Sequence, residues 1–163
     1  MDSILTDEDT VLRDEINNAL KDAMKAKDER RVSTLRLVNS TLKNADIEAR
    51  GQGKPPLADA DVLSLLQKMI KQRQESVELY TKGGRPELAQ QEQDEINIIS
   101  LYLPKQMSDL EAGSAIAQLV HEINAQTMKD MGRVMAALRE RYAGKMDFSK
   151  VSAKVKDLLS TKG

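Results

Sequence analysis

Asp28-Glu29-Arg30-Arg31-Val32-Ser33-Thr34-Leu35-Arg36-Leu37-Val38-Asn39-Ser40-Thr41-Leu42-Lys43-Asn44-Ala45-Asp46-Ile47-Glu48-Ala49-Arg50-Gly51 decides the fold class. Its apolar residues Val32, Leu35, Val38, Leu42, Ala45 and Ala49 recur at steps of three and four. That spacing lays one stripe along a helix of 3.6 residues per turn. Asp28 supplies a capping carboxylate at the start, and Gly51 ends the run. Met131, Val134, Met135, Leu138 and Tyr142 repeat the pattern near the other end of the chain. Period-two alternation of β-branched residues is sustained nowhere, so the sequence predicts an all-α protein.

Working outward, cap chemistry divides the chain into seven predicted helices. The first opens at Thr6–Asp9 and runs to about Lys27, and the second is the stretch above. Gly51-Gln52-Gly53-Lys54-Pro55-Pro56 is a flexible turn. Asp59 caps a third helix that runs through Thr81 and stops at Gly83-Gly84. Pro86 suits the first position of a fourth, where its missing N–H costs nothing. Ser108 and Glu111 form a Ser-x-x-Glu capping box for a fifth. Thr127 or Asp130 opens a sixth that Gly144 can end, and Asp147 or Ser149 begins a seventh. The residue before a proline avoids helical geometry, so Leu103-Pro104 marks the best boundary. Two domains are expected: an N-terminal helical domain over 1–103 and a small three-helix tail domain over 108–163. Limited proteolysis is expected to cut at Leu103–Ser108 or Gly51–Pro56 first.

Composition removes several function classes. The 163 residues contain no Cys, no Trp, one Phe, three Tyr and one His. Without Cys there is no disulfide, thiolate zinc site, iron–sulfur cluster or cysteine nucleophile. A single His makes a histidine metal site a poor prospect. Four aromatics argue against a base-stacking platform. No apolar run approaches the roughly 20 residues that cross a bilayer. The acidic start Met1-Asp2-Ser3 lacks a signal-peptide pattern. A cytoplasmic protein with no membrane association, no cofactor and no bound metal is therefore expected.

The formal net charge of -1 conceals two unlike halves. Residues 1–103 carry 15 basic and 19 acidic side chains, whereas residues 104–163 carry 10 and 7. Lys129 and Arg133 lie four apart on the sixth predicted helix, away from its apolar stripe, and Arg139 and Arg141 flank that stripe. Lys145 sits in the following turn, and Lys150 and Lys154 make another such pair on the seventh helix. An excess of this size points to polyanion contact, although a solvated surface would also display many cations. Arg36, Lys43 and Arg50 recur every seven residues and form a second basic seam, drifting about 20° per step.

Conventional catalytic groups are sparse. His121 has no local nucleophile or orienting carboxylate and reads as a surface or packed histidine. Glu92, Asp94 and Glu95 crowd the fourth helix and read as a solvated face or as partners for basic residues of the second. There is no P-loop, dinucleotide fingerprint or nucleophile elbow. Gly132, within an amphipathic helix, reads either as a place of close backbone approach or as a tolerated helix-start glycine. No catalytic residue is assigned.

Four stretches carry a family resemblance. Met128-Lys129-Asp130-Met131-Gly132-Arg133-Val134-Met135 resembles the K-x-D-M-G-K-V-M signature of the YqeY family. Leu101-Tyr102-Leu103-Pro104-Lys105-Gln106-Met107-Ser108 resembles that family's boundary motif. Leu35-Arg36-Leu37-Val38 and Ile70-Lys71-Gln72-Arg73-Gln74-Glu75-Ser76 resemble its earlier helical motifs. The resemblance implies an all-helical protein in two parts. It also implies similarity to the C-terminal helical and tail domains of GatB, a subunit of the glutamine-dependent aspartyl/glutamyl-tRNA amidotransferase. In that enzyme the tail contacts tRNA and the chemistry lies upstream. A label of carbon–nitrogen ligase with glutamine as amido-N donor would thus be inherited without an active site.

The leading expectation is a freestanding tRNA-interacting module, with tRNA as partner and Lys129, Arg133, Arg139, Arg141, Lys145, Lys150 and Lys154 as RNA-binding residues. Four aromatics imply recognition by shape and backbone. The alternative is a helical protein–protein adaptor without RNA binding, with a protein partner in translation. A third reading is an accessory to an amidotransferase acting in trans.

Overall fold

The structure is a computed structural model that describes residues 7–162. Among them are seven α-helices, one short 3-10 turn and no strand. The helices are α1 (Asp7–Lys25), α2 (Glu29–Gly51), α3 (Asp59–Lys82), α4 (Pro86–Ser100), α5 (Asp109–Glu122), α6 (Met131–Arg141) and α7 (Phe148–Lys162). The 3-10 turn, Met128–Asp130, leads directly into α6. The all-α expectation holds. The chain divides into two compact units, with the division falling between Leu103 and Pro104 in the sequence.

Local chemistry sets most helix ends. Asp28 caps α2 by accepting from the Arg31 amide at 3.2 Å. Pro86 is the first residue of α4. Ser108 and Glu111 bond reciprocally, at 3.1 and 3.0 Å, so two otherwise orphaned amides are satisfied at the start of α5. The Asp147 carboxylate accepts from the Ser149 amide at 3.0 Å where α7 begins. The expected Thr6 start of α1 lies outside the described residues. Asp59 does not cap α3. Ala58 holds that position, its amide donating to Asp61, while Asp59 accepts from the Leu12 amide of α1.

Four helices end in the same way. Lys27, Gly53, Gly84 and Asn124 adopt positive φ. The next amide then returns to a carbonyl five residues back: Asp28 to Ala23, Lys54 to Ala49, Arg85 to Tyr80 and Ala125 to Val120. This is the Schellman arrangement, which satisfies carbonyls that the helix leaves open. Glycine suits the left-handed conformation at two of the four positions, whereas Lys27 adopts it against the side-chain penalty.

In the first unit, α3 and α4 pack along their lengths, α1 lies against α2 and α3, and α2 also meets α4. The core comprises Leu12, Ile16, Ala23, Leu35, Val38, Leu42, Val62, Leu66, Met69, Ile99 and Tyr102. The stripe read from α2 supplies three of these. Arg13 and Asp46 tie α1 to α2 at 2.6 Å, and Asp46 also accepts from the Leu57 amide at 2.9 Å, which fixes the end of the Gly-Pro turn. In the second unit α5, α6 and α7 pack mutually around Ile116, Leu119, Val120, Val134, Leu138, Val151, Val155 and Leu159.

Thr34 departs from the pattern. It is 1% exposed, and its hydroxyl is buried without a partner. Removing an unsatisfied buried hydroxyl while keeping the shape costs nothing in hydrogen bonding. Thr34→Val should therefore keep or raise stability, by up to about 1 kcal/mol. Urea denaturation checks this, and a loss above about 1 kcal/mol would mean the hydroxyl is satisfied.

Candidate functional site

The second unit places the seven predicted cations in three different situations. Lys129 and Arg133 do not share one continuous α-helix, as expected from sequence. Lys129 lies in the 3-10 turn, whereas Arg133 lies in the first turn of α6. The cause is Asp130. Its carboxylate accepts from the Gln126 amide at 2.8 Å, the Thr127 amide at 3.2 Å and Arg133 at 3.0 Å. Thr127 in turn accepts from the Lys129 amide at 3.3 Å. These bonds wind the segment tightly before the α-helix starts.

Arg133 is half-exposed but committed. Besides Asp130 it donates to the Ile123 carbonyl at 2.8 Å, at the end of α5. It therefore joins the α5 terminus to the α6 start. Its charge cannot be reversed without structural cost, because Arg133→Glu would break both bonds. Arg141 is likewise paired, with Glu122 at 2.7 Å.

The other five cations have no carboxylate partner among the described residues. Arg139 lies over the Phe148 ring, 5.9 Å from its centroid, a cation–π contact that keeps the charge uncompensated. Lys154 donates to the Asp109 carbonyl at 3.3 Å. Lys129, Lys145 and Lys150 are exposed. The backbone around Lys145 is fixed, because its carbonyl accepts from the Met107 amide at 2.9 Å. The 3-10 turn bearing Lys129 packs on α7, which carries Lys150 and Lys154.

Asp130 has a pH signature. The Gln126 and Thr127 amides, with Arg133, hold its carboxyl down to about 2. A carboxylate whose folded value lies below its unfolded one stabilises the fold above the unfolded value. That contribution is lost as pH falls through the folded value, here between about pH 4 and pH 2. Asp130→Asn should lower the melting temperature at pH 7, and the gap to the parent should shrink towards pH 2. Thermal melts across that range check it; a gap that does not change with pH would contradict it.

Other expectations find their places. Arg36, Lys43 and Arg50 all lie exposed on α2, with no ion-pair partner among the described residues. His121 is exposed in the last turn of α5, and its carbonyl accepts from the Asn124 amide. Gly132 has open space where a Cβ would stand, with nothing among the described residues within 4 Å, so the helix-start reading applies. Asp94 meets Arg30 of α2 at 3.4 Å, as its position suggested. Glu95 instead pairs with Arg73 of α3 at 3.2 Å, a link that sequence reading missed. Its only available signal was that Arg73 and Glu95 sit on helices joined by a short turn. No group of three or more His, Asp or Glu among the described residues could hold a metal ion. No described helix is long and apolar enough to cross a membrane.

Fold and surface together define a class: an all-helical protein whose second unit presents several unpaired cations. The chain belongs to the YqeY family, since the family model described as Yqey-like protein matches residues 13–159. It is 37% identical over 106 residues to Altered inheritance of mitochondria protein 41, mitochondrial, of Lachancea thermotolerans, covering 64% of this chain and 55% of that protein. The protein of the same name from Eremothecium gossypii is 38% identical over 84 residues, covering 52% of this chain and 44% of that one. The one from Pyrenophora tritici-repentis is 28% identical over 149 residues, covering 88% and 78%. This chain spans about half the length of the first two. The expected cytoplasmic setting is overturned here, because these relatives are mitochondrial proteins by name. Acidic N-terminal residues and a missing signal-peptide pattern were too thin a basis for it.

Proposed function

We propose that this protein is a tRNA-interacting helical module related to the non-catalytic C-terminal region of GatB, gripping the phosphate backbone through its second unit. One observation carries the reading: Lys129, Arg139, Lys145, Lys150 and Lys154 keep their charge uncompensated by any carboxylate among the described residues. The mitochondrial names of the relatives support an organellar RNA pool as the setting. Phosphate contacts need no aromatic platform, in keeping with only four aromatic residues. Lys129, Lys145 and Lys150 are the residues to test, since neutralising them breaks no side-chain hydrogen bond or ion pair among the described residues, unlike Arg133 and Arg141.

The triple variant K129Q/K145Q/K150Q should melt like the parent. Its affinity for total tRNA should fall at least about tenfold near 100 mM salt, with a salt slope flatter by about two to three. Filter binding from 50 to 200 mM salt reads both quantities. Unchanged affinity and slope would remove the second unit from RNA binding and favour the adaptor reading.

A further inference from the structure

We propose that the outer face of α2 is a second surface for the phosphodiester backbone of RNA, on the unit whose acidic side chains outnumber its basic ones. This goes beyond the reading above, which uses the second unit alone. Arg36, Lys43 and Arg50 span about 21 Å along the helix at 1.5 Å per residue. Their drift of about 20° per seven residues keeps them in one strip. All three are exposed, and none has an ion-pair partner among the described residues. The same face carries exposed Ser40 and exposed Ile47. Arg, Lys and Ser are among the side chains that contact phosphate and sugar without reading bases.

The carboxylates of α2 lie away from the middle of the strip. Asp46 is held by Arg13, Glu48 points to another side by helical phase, and Glu29 stands at the helix start. Beyond Arg36 the strip opens into a shallow hollow of about 600 Å³ lined by Lys27, Glu29, Val32, Ser33 and Arg36. An acidic protein helix is the competing occupant. It would need apolar anchors at i, i+3, i+4 and i+7. The exposed apolar residues here, Leu37 and Ile47, are ten apart and about 80° apart in helical phase, so they make no such stripe.

The test uses the full chain and total tRNA. R36Q/K43Q/R50Q should keep the parent's melting temperature, since all three positions are exposed and glutamine suits a helix. Its affinity near 100 mM salt should fall at least about tenfold, with a slope flatter by about two to three. A control of equal charge change, K21Q/K25Q/K68Q, should bind like the parent. If the control loses as much as the α2 variant, bulk charge is responsible and the proposal is overturned. If only K129Q/K145Q/K150Q loses affinity, the second-unit reading stands and the α2 surface is overturned. If poly-glutamate of matched charge displaces tRNA from the parent at concentrations where unlabelled tRNA does not, and leaves the α2 variant unaffected, the face is a protein site and the proposal is overturned. A parent that binds no tRNA at 50 mM salt overturns both readings.

Discussion

Arg73→Met should remove about 2 to 3 kcal/mol of stability from the first unit. The Arg73 side chain is only 12% exposed and that of its partner Glu95 17%. Arg73 also donates to the Met69 carbonyl at 3.1 Å. Glu92 faces the same group. Burial raises its carboxyl above the ordinary value, the Glu95 charge adds to the rise, and Arg73 opposes it. Without the guanidinium, two carboxylates confront each other at a half-buried helix interface. Breaking a buried pair typically costs about 3 to 5 kcal/mol, and partial exposure places this one lower. Protonation of Glu92, whose carboxyl is raised, relieves the repulsion, so the loss should be largest at neutral pH and shrink as the pH falls into the acid range. Replacing both partners, R73M/E95L, should recover much of the loss, because no charge is then left unpaired. Urea denaturation at pH 7 and pH 4 decides the matter. A loss under about 1 kcal/mol at pH 7 would mean the pair behaves as a surface bridge.

The second large effect concerns Leu138, which is fully buried among α5, α6 and α7. Truncating a buried leucine to alanine costs about 3 to 5 kcal/mol, from lost transfer energy and the cavity left behind. A unit of this size has a total stability of about 3 to 9 kcal/mol. Leu138→Ala should therefore bring the second unit close to unfolding at 37 °C. With the two units unfolding separately, circular dichroism should show an early transition carrying the helix signal of α5–α7 and a later one resembling the parent's. RNA affinity should fall with the early transition. A single cooperative transition, merely shifted, would contradict separate unfolding.

Much of the fold was legible because its determinants are local. The α2 stripe, the Asp28 cap, the Ser108–Glu111 box and Pro86 each act within a few residues of their own positions. What sequence missed depends on contacts across the chain. Asp59 looked like a cap by spacing, yet it serves α1 instead. Arg73 and Glu95 are 22 residues apart, and no periodicity signals that they meet. The candidate site was legible in charge but not in availability. Sequence counts Arg133 and Lys129 alike, and only tertiary geometry reveals that Arg133 is spent on Asp130 and the Ile123 carbonyl. Sequence left Gly132 open between a close backbone approach and a tolerated helix-start glycine, and the open space around it among the described residues selects the second.

The most direct measurement is the salt dependence of total tRNA affinity for the intact parent chain. Each phosphate neutralised by a cation releases condensed counterions, so affinity should fall as a power of salt concentration. With three to five phosphates engaged by the second unit and about three more along α2, the logarithmic slope should lie between about -4 and -7 from 50 to 200 mM salt. Absence of binding at 50 mM salt, or affinity that does not change across that range, would contradict the account.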